Sequence, residues 1–549
     1  MSKSAETTTG ALPGAISRQH VLVTMIGVAL AMFLSSLDQT IVGTAMPKIV
    51  ADLGGFSHYT WVTTSYLLTS TVVLPITGRL TDMYGRKPFF IVGIAIFIAG
   101  SVISGLSQTM LQIILSRGFQ GIGAGVIMAN ALAAIADLFP PAERGKIQGV
   151  MAAVFGVSSI IGPILGGFIT DSLSWHWIFF INVPLGIASI ILFLVFYPHY
   201  RPDVKKHTID YAGMTALTLV VVPMLLALTW GGVEYPWGSP QIIGMFALAV
   251  AALIAFPLIE MRSKEPIIPL SIFKDRIISI SLVATFLSGF AMFGGIVFVP
   301  LFFQGVLGAS ATSSGSFLTP MMLGVVVGSA ASGQALSRTG GHYRIQGAIG
   351  LALIVLGLVL LSRMGISTSH AHAVFNIIWV GIGLGMTFPL YIIAVQNSAP
   401  VELVGTATSI VPFVRSLGGS FGLAIFGSIM TNRFAAEFLA QIPAGVKAVV
   451  PPQVFDSVTG NAQTLLSPEA QSGLKAVFDR LGEQGATLYA QTILALKSSL
   501  ASALSDVFLI AALITLLAFV ANWFIKEIPL RKRHAPGSQG SEQPSKPSA

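Results

Sequence analysis

Gly78-Arg79-Leu80-Thr81-Asp82-Met83-Tyr84-Gly85-Arg86-Lys87 separates two apolar runs, roughly 59 to 78 and 88 to 107. Its glycines permit a tight turn and a close backbone approach. Asp82 with Arg79, Arg86 and Lys87 can build a charge network where the chain leaves an apolar medium. Outward from this joint, in both directions, the pattern repeats: apolar runs of about twenty residues, then a polar link, from Val21 to Phe524.

The composition says what surrounds these runs. Of 549 residues, 54% are hydrophobic and 9% charged, with a mean hydropathy of +0.81. A soluble domain carries about 25% charged residues, so this chain cannot dress itself for water and lipid is its solvent. The runs are continuous, which predicts helices and excludes the alternating strands of a barrel. With the amino terminus in the cytoplasm they give fourteen spans: 21–46, 59–78, 88–107, 110–131, 147–170, 178–197, 211–230, 240–259, 278–303, 313–336, 345–362, 374–396, 404–430 and 505–525.

The formal net charge of +8 reads as topology, not as nucleic-acid affinity. On this register most of the 30 Lys and Arg are cytoplasmic, and the short outer loops hold only Lys48 and Arg363. Both termini are therefore expected inside a plasma membrane, with Arg531, Lys532 and Arg533 anchoring the last helix. The chain has no cysteine, which excludes disulfides, thiol nucleophiles and Cys-ligated metals. The first run is too long for a signal-peptide core and lacks a small-residue cleavage site, so it stays as helix 1.

The expected fold is an all-α membrane protein of two six-helix bundles plus two inserted helices. The parse is a cytoplasmic tail at 1–20, an N-terminal bundle at 21–200, a linker with the inserted pair at 201–276, a C-terminal bundle at 277–530 and a disordered tail at 531–549. An internal echo supports two halves. Gly333-Gln334-Ala335-Leu336-Ser337-Arg338-Thr339-Gly340-Gly341 repeats the glycine offsets of the 78–87 joint on the same side of the membrane. The outer loop 431–504 is the longest soluble segment. Ser467-Pro468-Glu469 predicts the start of a short helix, and the helical pattern from about Thr487 runs on into helix 14. A cover over the outer mouth and a passive structural loop are both open readings.

The pattern G-x-L-x-D-x-x-G-R-K at 78–87 resembles the signature that follows helix 2 in the major facilitator superfamily. Leu37-Asp38-Gln39-Thr40-Ile41-Val42 through Pro47 is similar to the helix 1 motif of the fourteen-helix drug:proton antiporters. Gly156 through Gly162-Pro163-Ile164-Leu165-Gly166-Gly167 is similar to their antiporter motif, and Trp175 through Pro184 to their segment opening helix 6. With Arg117, Gln120, Gly121 and Gly125, the resemblance covers nearly the whole chain. It implies alternating access, a gate at the inner face formed by Gly78, Asp82, Gly85, Arg86 and Asp137, and export associated with Gly162 and Pro163.

Asp38 stands out without that resemblance, as the only carboxylate deep in any expected span. Charge at such depth costs about 2.5–3.5 kcal/mol on insertion scales, so it must meet a cavity or a partner. Helix 1 runs outward and helix 4 inward, which places Asp38 and Arg117 at one depth, roughly 10–12 Å below the outer surface. Two readings stand: a structural ion pair, or a proton site where Arg117 lowers the Asp38 pKa in one state and leaves it in another, so that proton and cationic substrate compete. Gln39, Tyr66, Asn130 and Asn182 can hydrogen-bond substrate or bridge helices. Arg415 can neutralise a helix end or meet an anionic substrate.

A proton-coupled exporter of lipophilic or amphiphilic, cationic drugs is the functional expectation, and export of an endogenous lipid, peptide or metabolite is the alternative. The expected partners are a small amphiphilic molecule, protons and the bilayer, with no cofactor or metal and a monomeric state. No phosphate-binding G-x-x-x-x-G-K-[ST] or H-E-x-x-H stretch occurs, which argues against a membrane enzyme. Two halves with Gly-Pro-interrupted helices favour a transporter over a receptor or channel.

Overall fold

The computed structural model describes residues 18–53, 59–197, 207–309, 311–442, 446, 468–479 and 483–530. Residues 1–17 of the expected amino-terminal tail, the basic stretch 201–206, Ser467 and the tail 531–549 with Arg531 to Arg533 lie outside them, whereas residues 18–20 already belong to the first helix.

In chain order the helices are α1 (Arg18–Leu53), α2 (Tyr59–Tyr84), α3 (Arg86–Gly105), α4 (Met110–Leu138) and α5 (Pro141–Ser172). Then come α6 (Trp177–Phe196), α7 (Tyr211–Trp230) and α8 (Pro240–Glu260). They are followed by α9 (Arg276–Leu301), α10 (Ala311–Thr339), α11 (Tyr343–Ser362), α12 (His370–Ser398), α13 (Val404–Gln441), α14 (Pro468–Asp479) and α15 (Glu483–Asn522). All but α14 are spans, which makes fourteen, as expected. The starts follow local chemistry. Thr109, Asp210, Ser239, Asp275 and Ser369 each accept a backbone N–H in the first turn of the helix they precede, satisfying donors with no helical partner.

Among the described residues 12 helices are long and apolar enough to cross a membrane. The remaining two spans, α2 and α10, are rich in Thr, Ser and Gly. They hold equivalent places in the two halves, and both pack on the opposite bundle, α2 on α13 and α10 on α5. Their lower hydropathy fits a protein seam, where small polar residues let helices approach.

α1 to α6 form one bundle, and α9 to α13 with α15 the other, each with its own buried core. A further buried cluster crosses between them. Val72, Ala129 and Leu132 of the first bundle meet Val395, Ala407 and Val411 of the second, with Leu217 and Val221 of inserted α7. Leu132, Val395 and Ala407 lie near the helix ends that share a face with both chain termini, so apolar burial joins the bundles on that face.

The described part of the segment 431–504, expected outside, is less loop-like than the sequence suggested. α13 continues to Gln441 and α15 begins at Glu483, well before its apolar run. Phe434, Phe438, Leu474, Phe478, Leu496 and Leu500 are buried together in a continuation of the second bundle's core. A helix with buried aromatics can outrun the bilayer because protein, not lipid, covers its apolar face.

Candidate functional site

The centre of the first bundle is a closed polar cluster. Asp38, 0% exposed, accepts from Arg117 Nη1 at 2.5 Å, Gln120 Nε2 at 2.9 Å and Asn182 Nδ2 at 2.8 Å. Arg117 also donates to Gln120 Oε1 at 2.8 Å, three residues along α4, where side chains share a face. Ser101 of α3 closes the group by accepting from Gln120 Nε2 at 3.2 Å and Asn182 Nδ2 at 2.8 Å while donating to the Phe179 carbonyl at 2.9 Å. The Arg117 guanidinium lies over the Tyr66 ring at 4.2 Å, and the Tyr66 hydroxyl is 3.3 Å from Ser35 Oγ. Four helices thus converge on one buried polar cluster in a low-dielectric interior, where charge-assisted hydrogen bonds are strong. Arg117 Nε and Asn182 Oδ1 keep no protein partner among the described residues.

The antiporter-like stretch sits against this cluster's own helix. A Cβ on Gly162 would fall 2.0 Å from Thr40 Oγ1, two residues beyond Asp38, and that hydroxyl donates to the Ser158 carbonyl at 3.2 Å. Gly162 therefore sets the α1–α5 crossing inside one bundle, not a contact between bundles, and Pro163 follows it inside α5. Gln39 points away, exposed, as expected one step (about 100°) around α1 from Asp38. Asn130 is fully buried on α4, with neither amide atom partnered among the described residues, and takes no part in the Asp38 cluster.

The joint at 78–87 bridges the bundles. Helix α13 starts after Leu403, which supplies no side-chain cap. Asp82 caps it from the other bundle, accepting Gly405 N at 2.9 Å, Thr406 N at 2.7 Å and Thr406 Oγ1 at 2.8 Å. A carboxylate at a helix N-terminus meets free N–H groups and the positive end of the dipole together. Gly78 makes the approach possible, since a Cβ there would stand 2.0 Å from Ser409 Oγ and 2.8 Å from the Gly405 carbonyl. Arg86 forks onto Asp137 and reaches Thr81 Oγ1 at 3.1 Å and Asp82 Oδ1 at 3.4 Å. Gly85 turns the chain with φ 84°.

The echo in the second half has the same geometry without the charge. Gly340 has φ 75°, and a Cβ on Gly333 would lie 2.0 Å from the Gly145 carbonyl at the start of α5. Where Asp82 would fall stands Ser337, whose hydroxyl donates to Gly333 O at 3.0 Å in its own helix. The two crossings are matched in shape, and only one carries a carboxylate cap.

Arg415 is the remaining sequence candidate. It is 8% exposed about a third of the way along α13, with its guanidinium 4.0 Å from the Phe388 ring of α12. Nε and Nη2 have no acceptor among the described residues. Ser101 was missed by sequence reasoning, and Gln120 entered only through the resemblance. An isolated serine or glutamine in an apolar run carries no signal until a carboxylate from another helix is placed beside it.

The chain's similarities agree with this architecture. The family model described as Major Facilitator Superfamily matches residues 28–423. Multidrug transporter protein MdtP of Bacillus subtilis (strain 168) is 38% identical over 543 residues, covering 97% of this chain and 98% of that protein. Multidrug resistance protein 3 of the same organism is 42% identical over 410 residues, covering 75% of this chain and 80% of that one. Among solved structures, the human organic anion transporter MFSD10 (TETRAN) superposes with a TM-score of 0.58 at 14% identity, covering 90% of this chain and 99% of that one, a likeness of fold alone. A model match over most of the chain, relatives aligned nearly end to end and fourteen spans in two bundles place this protein in the major facilitator superfamily of membrane transporters.

Proposed function

We propose that this protein is a proton-coupled antiporter that exports lipophilic or amphiphilic, cationic drugs across the plasma membrane by alternating access, with both termini in the cytoplasm. The relatives named for multidrug transport support drug export. The single observation carrying the proton assignment is the sealed Asp38 cluster. One deep carboxylate is held by Arg117, Gln120 and Asn182, with a ring over the guanidinium.

Proton uptake at Asp38 removes the charge that holds Arg117, and the Tyr66 face then supports the guanidinium alone. The freed amides and Arg117 can turn toward a substrate, and a cationic substrate competes with the proton for the carboxylate. Asp82 and Arg86 act at the terminal face, where the cap on α13 holds the two bundles closed. On this reading residues 21–200 and 277–530 are the moving bodies, 201–276 lies between them, and the closed terminal face leaves the transporter open outward.

The test is uptake of fluorescent dyes into everted vesicles under an imposed pH gradient. Uptake that follows the gradient and collapses with a protonophore is expected. Uptake indifferent to the gradient would remove the antiport assignment.

A further inference from the structure

The buried charges do not balance. Asp38 and Arg117 neutralise one another, whereas Arg415, nine-tenths buried, forms no ion pair with any described carboxylate. Charge inside a membrane span is expensive, and a protein that keeps an uncompensated one has a use for it. We infer that Arg415 is a ligand-binding residue of the second bundle that receives an anionic group, of carboxylate type, on an amphiphilic substrate. This deepens the transport reading above and rests on it.

Three features of the site point to that class. First, the unpartnered atoms are Nε and Nη2. These adjacent donors lie on one edge of the planar guanidinium, and that edge matches the two oxygens of a carboxylate in a parallel fork. Second, Phe388 covers the face of the guanidinium at 4.0 Å. Stacking fixes the plane and leaves the in-plane N–H edge for hydrogen bonding.

Third, the residue lies at the seam between bundles. Its neighbour Ser416 pairs with Thr71 of α2, Oγ to Oγ1, at 3.2 Å. Five residues earlier on α2, about 7.5 Å along the axis, Tyr66 covers Arg117. One helix therefore touches both charged sites, so a single amphiphile at the seam can reach them together. A cationic end competing for Asp38 and an anionic group on Arg415 describe a zwitterionic amphiphile.

The rival is a structural role such as neutralising a helix end. That role would occupy the donor edge with a backbone or side-chain acceptor, and no described acceptor reaches it.

The test uses full-length protein in lipid nanodiscs with a matched pair of probes, a carboxy-rhodamine dye and its methyl ester, which differ only in the anionic group. Arg415→Gln should weaken binding of the free acid at least about tenfold, the scale of a lost charge-assisted pair, and change ester binding by no more than about twofold. Equal loss for both dyes, or no loss for either, would overturn the assignment.

Arg415→Met keeps the apolar stem and removes the charge. Its ligand-free thermal midpoint should equal or exceed that of the native protein, because nothing is left unpaired. A marked fall would make Arg415 a structural keystone and overturn the proposal. In everted vesicles the native protein should move the ester dye with the pH gradient. Failure there would sink the antiport reading while the paired binding comparison still decides the role of Arg415.

Discussion

Asp38 is held by three side-chain donors in the first bundle's interior, and the structure sets what its removal does. Asp38→Asn should abolish gradient-driven transport in everted vesicles. Transport at the native rate would contradict the proton assignment. The same change leaves Arg117 buried opposite an amide, so a loss of about 3–5 kcal/mol in stability is expected from thermal or denaturant unfolding. Asp38→Asn combined with Arg117→Gln should recover much of that loss without restoring transport, which separates folding from coupling. At the contact between bundles, Asp82→Ala removes the only side-chain cap on α13 among the described residues, a change of about 1–2 kcal/mol. Substrate binding at equilibrium should persist while turnover falls severely. Gly85→Val should have the same signature, because a β-branched residue is strained at φ 84°. Equal loss of binding and turnover in either variant would place these residues in the substrate site instead.

At the scale of elements, short polar links join the two ends of the inserted pair α7–α8 to each other, and one ring contact reaches α2. His207 Nδ1 lies 2.8 Å from Glu265 Oε1, Thr208 N donates to Glu265 Oε2 at 2.8 Å, and the His207 ring meets Tyr84 edge-on at 5.8 Å. Partial burial pushes the Glu265 carboxyl upward, and the His207 bond and the Thr208 N–H outweigh it, so the carboxyl sits below its ordinary value. A depressed folded-state pKa contributes stability that is complete above the ordinary carboxylate value of about 4.3 and is lost as pH falls through the lower folded value. Hydrogen exchange at the Thr208 amide should therefore remain slow at about pH 6 and quicken only below about pH 4. Glu265→Gln should make that protection independent of pH over the same range. Loss of protection already at about pH 6 would show that another group governs the link. The low hydropathy of α2 and α10 has its reason at this scale too, since each packs on a helix of the opposite bundle.

For the whole molecule, the described parts of the segment 431–504 extend the second bundle's core. Phe434 and Phe438 stack with centroids 6.1 Å apart, and Arg433 pairs with Asp506 at 2.8 Å across α13 and α15. Phe434→Ala should cost about 3–5 kcal/mol, read as a lower unfolding midpoint of the entire protein. Melting of the outer segment alone, with the bundles unmoved, would show that it is an independent unit. Because α13 carries Asp82's cap at its start, Arg415 about a third of the way along and this extension at its end, it links the contact between bundles, the candidate ligand site and the extension in one element.

The fourteen spans and the turn at Gly85 were legible in the sequence because each depends on neighbours a few residues apart: a hydropathy run, a glycine in a polar joint. Even the meeting of Asp38 and Arg117 followed from equal depth, since a membrane lends the chain a ruler. What the sequence could not contain was the choice of partners across the fold. Asp82 caps a helix 323 residues away, Gln120 and Asn182 gather on one carboxylate with Ser101 behind them, and Arg415 is left without one. Hydrogen bonds need the right atom within about 3 Å, and only the packing of helix against helix sets that distance.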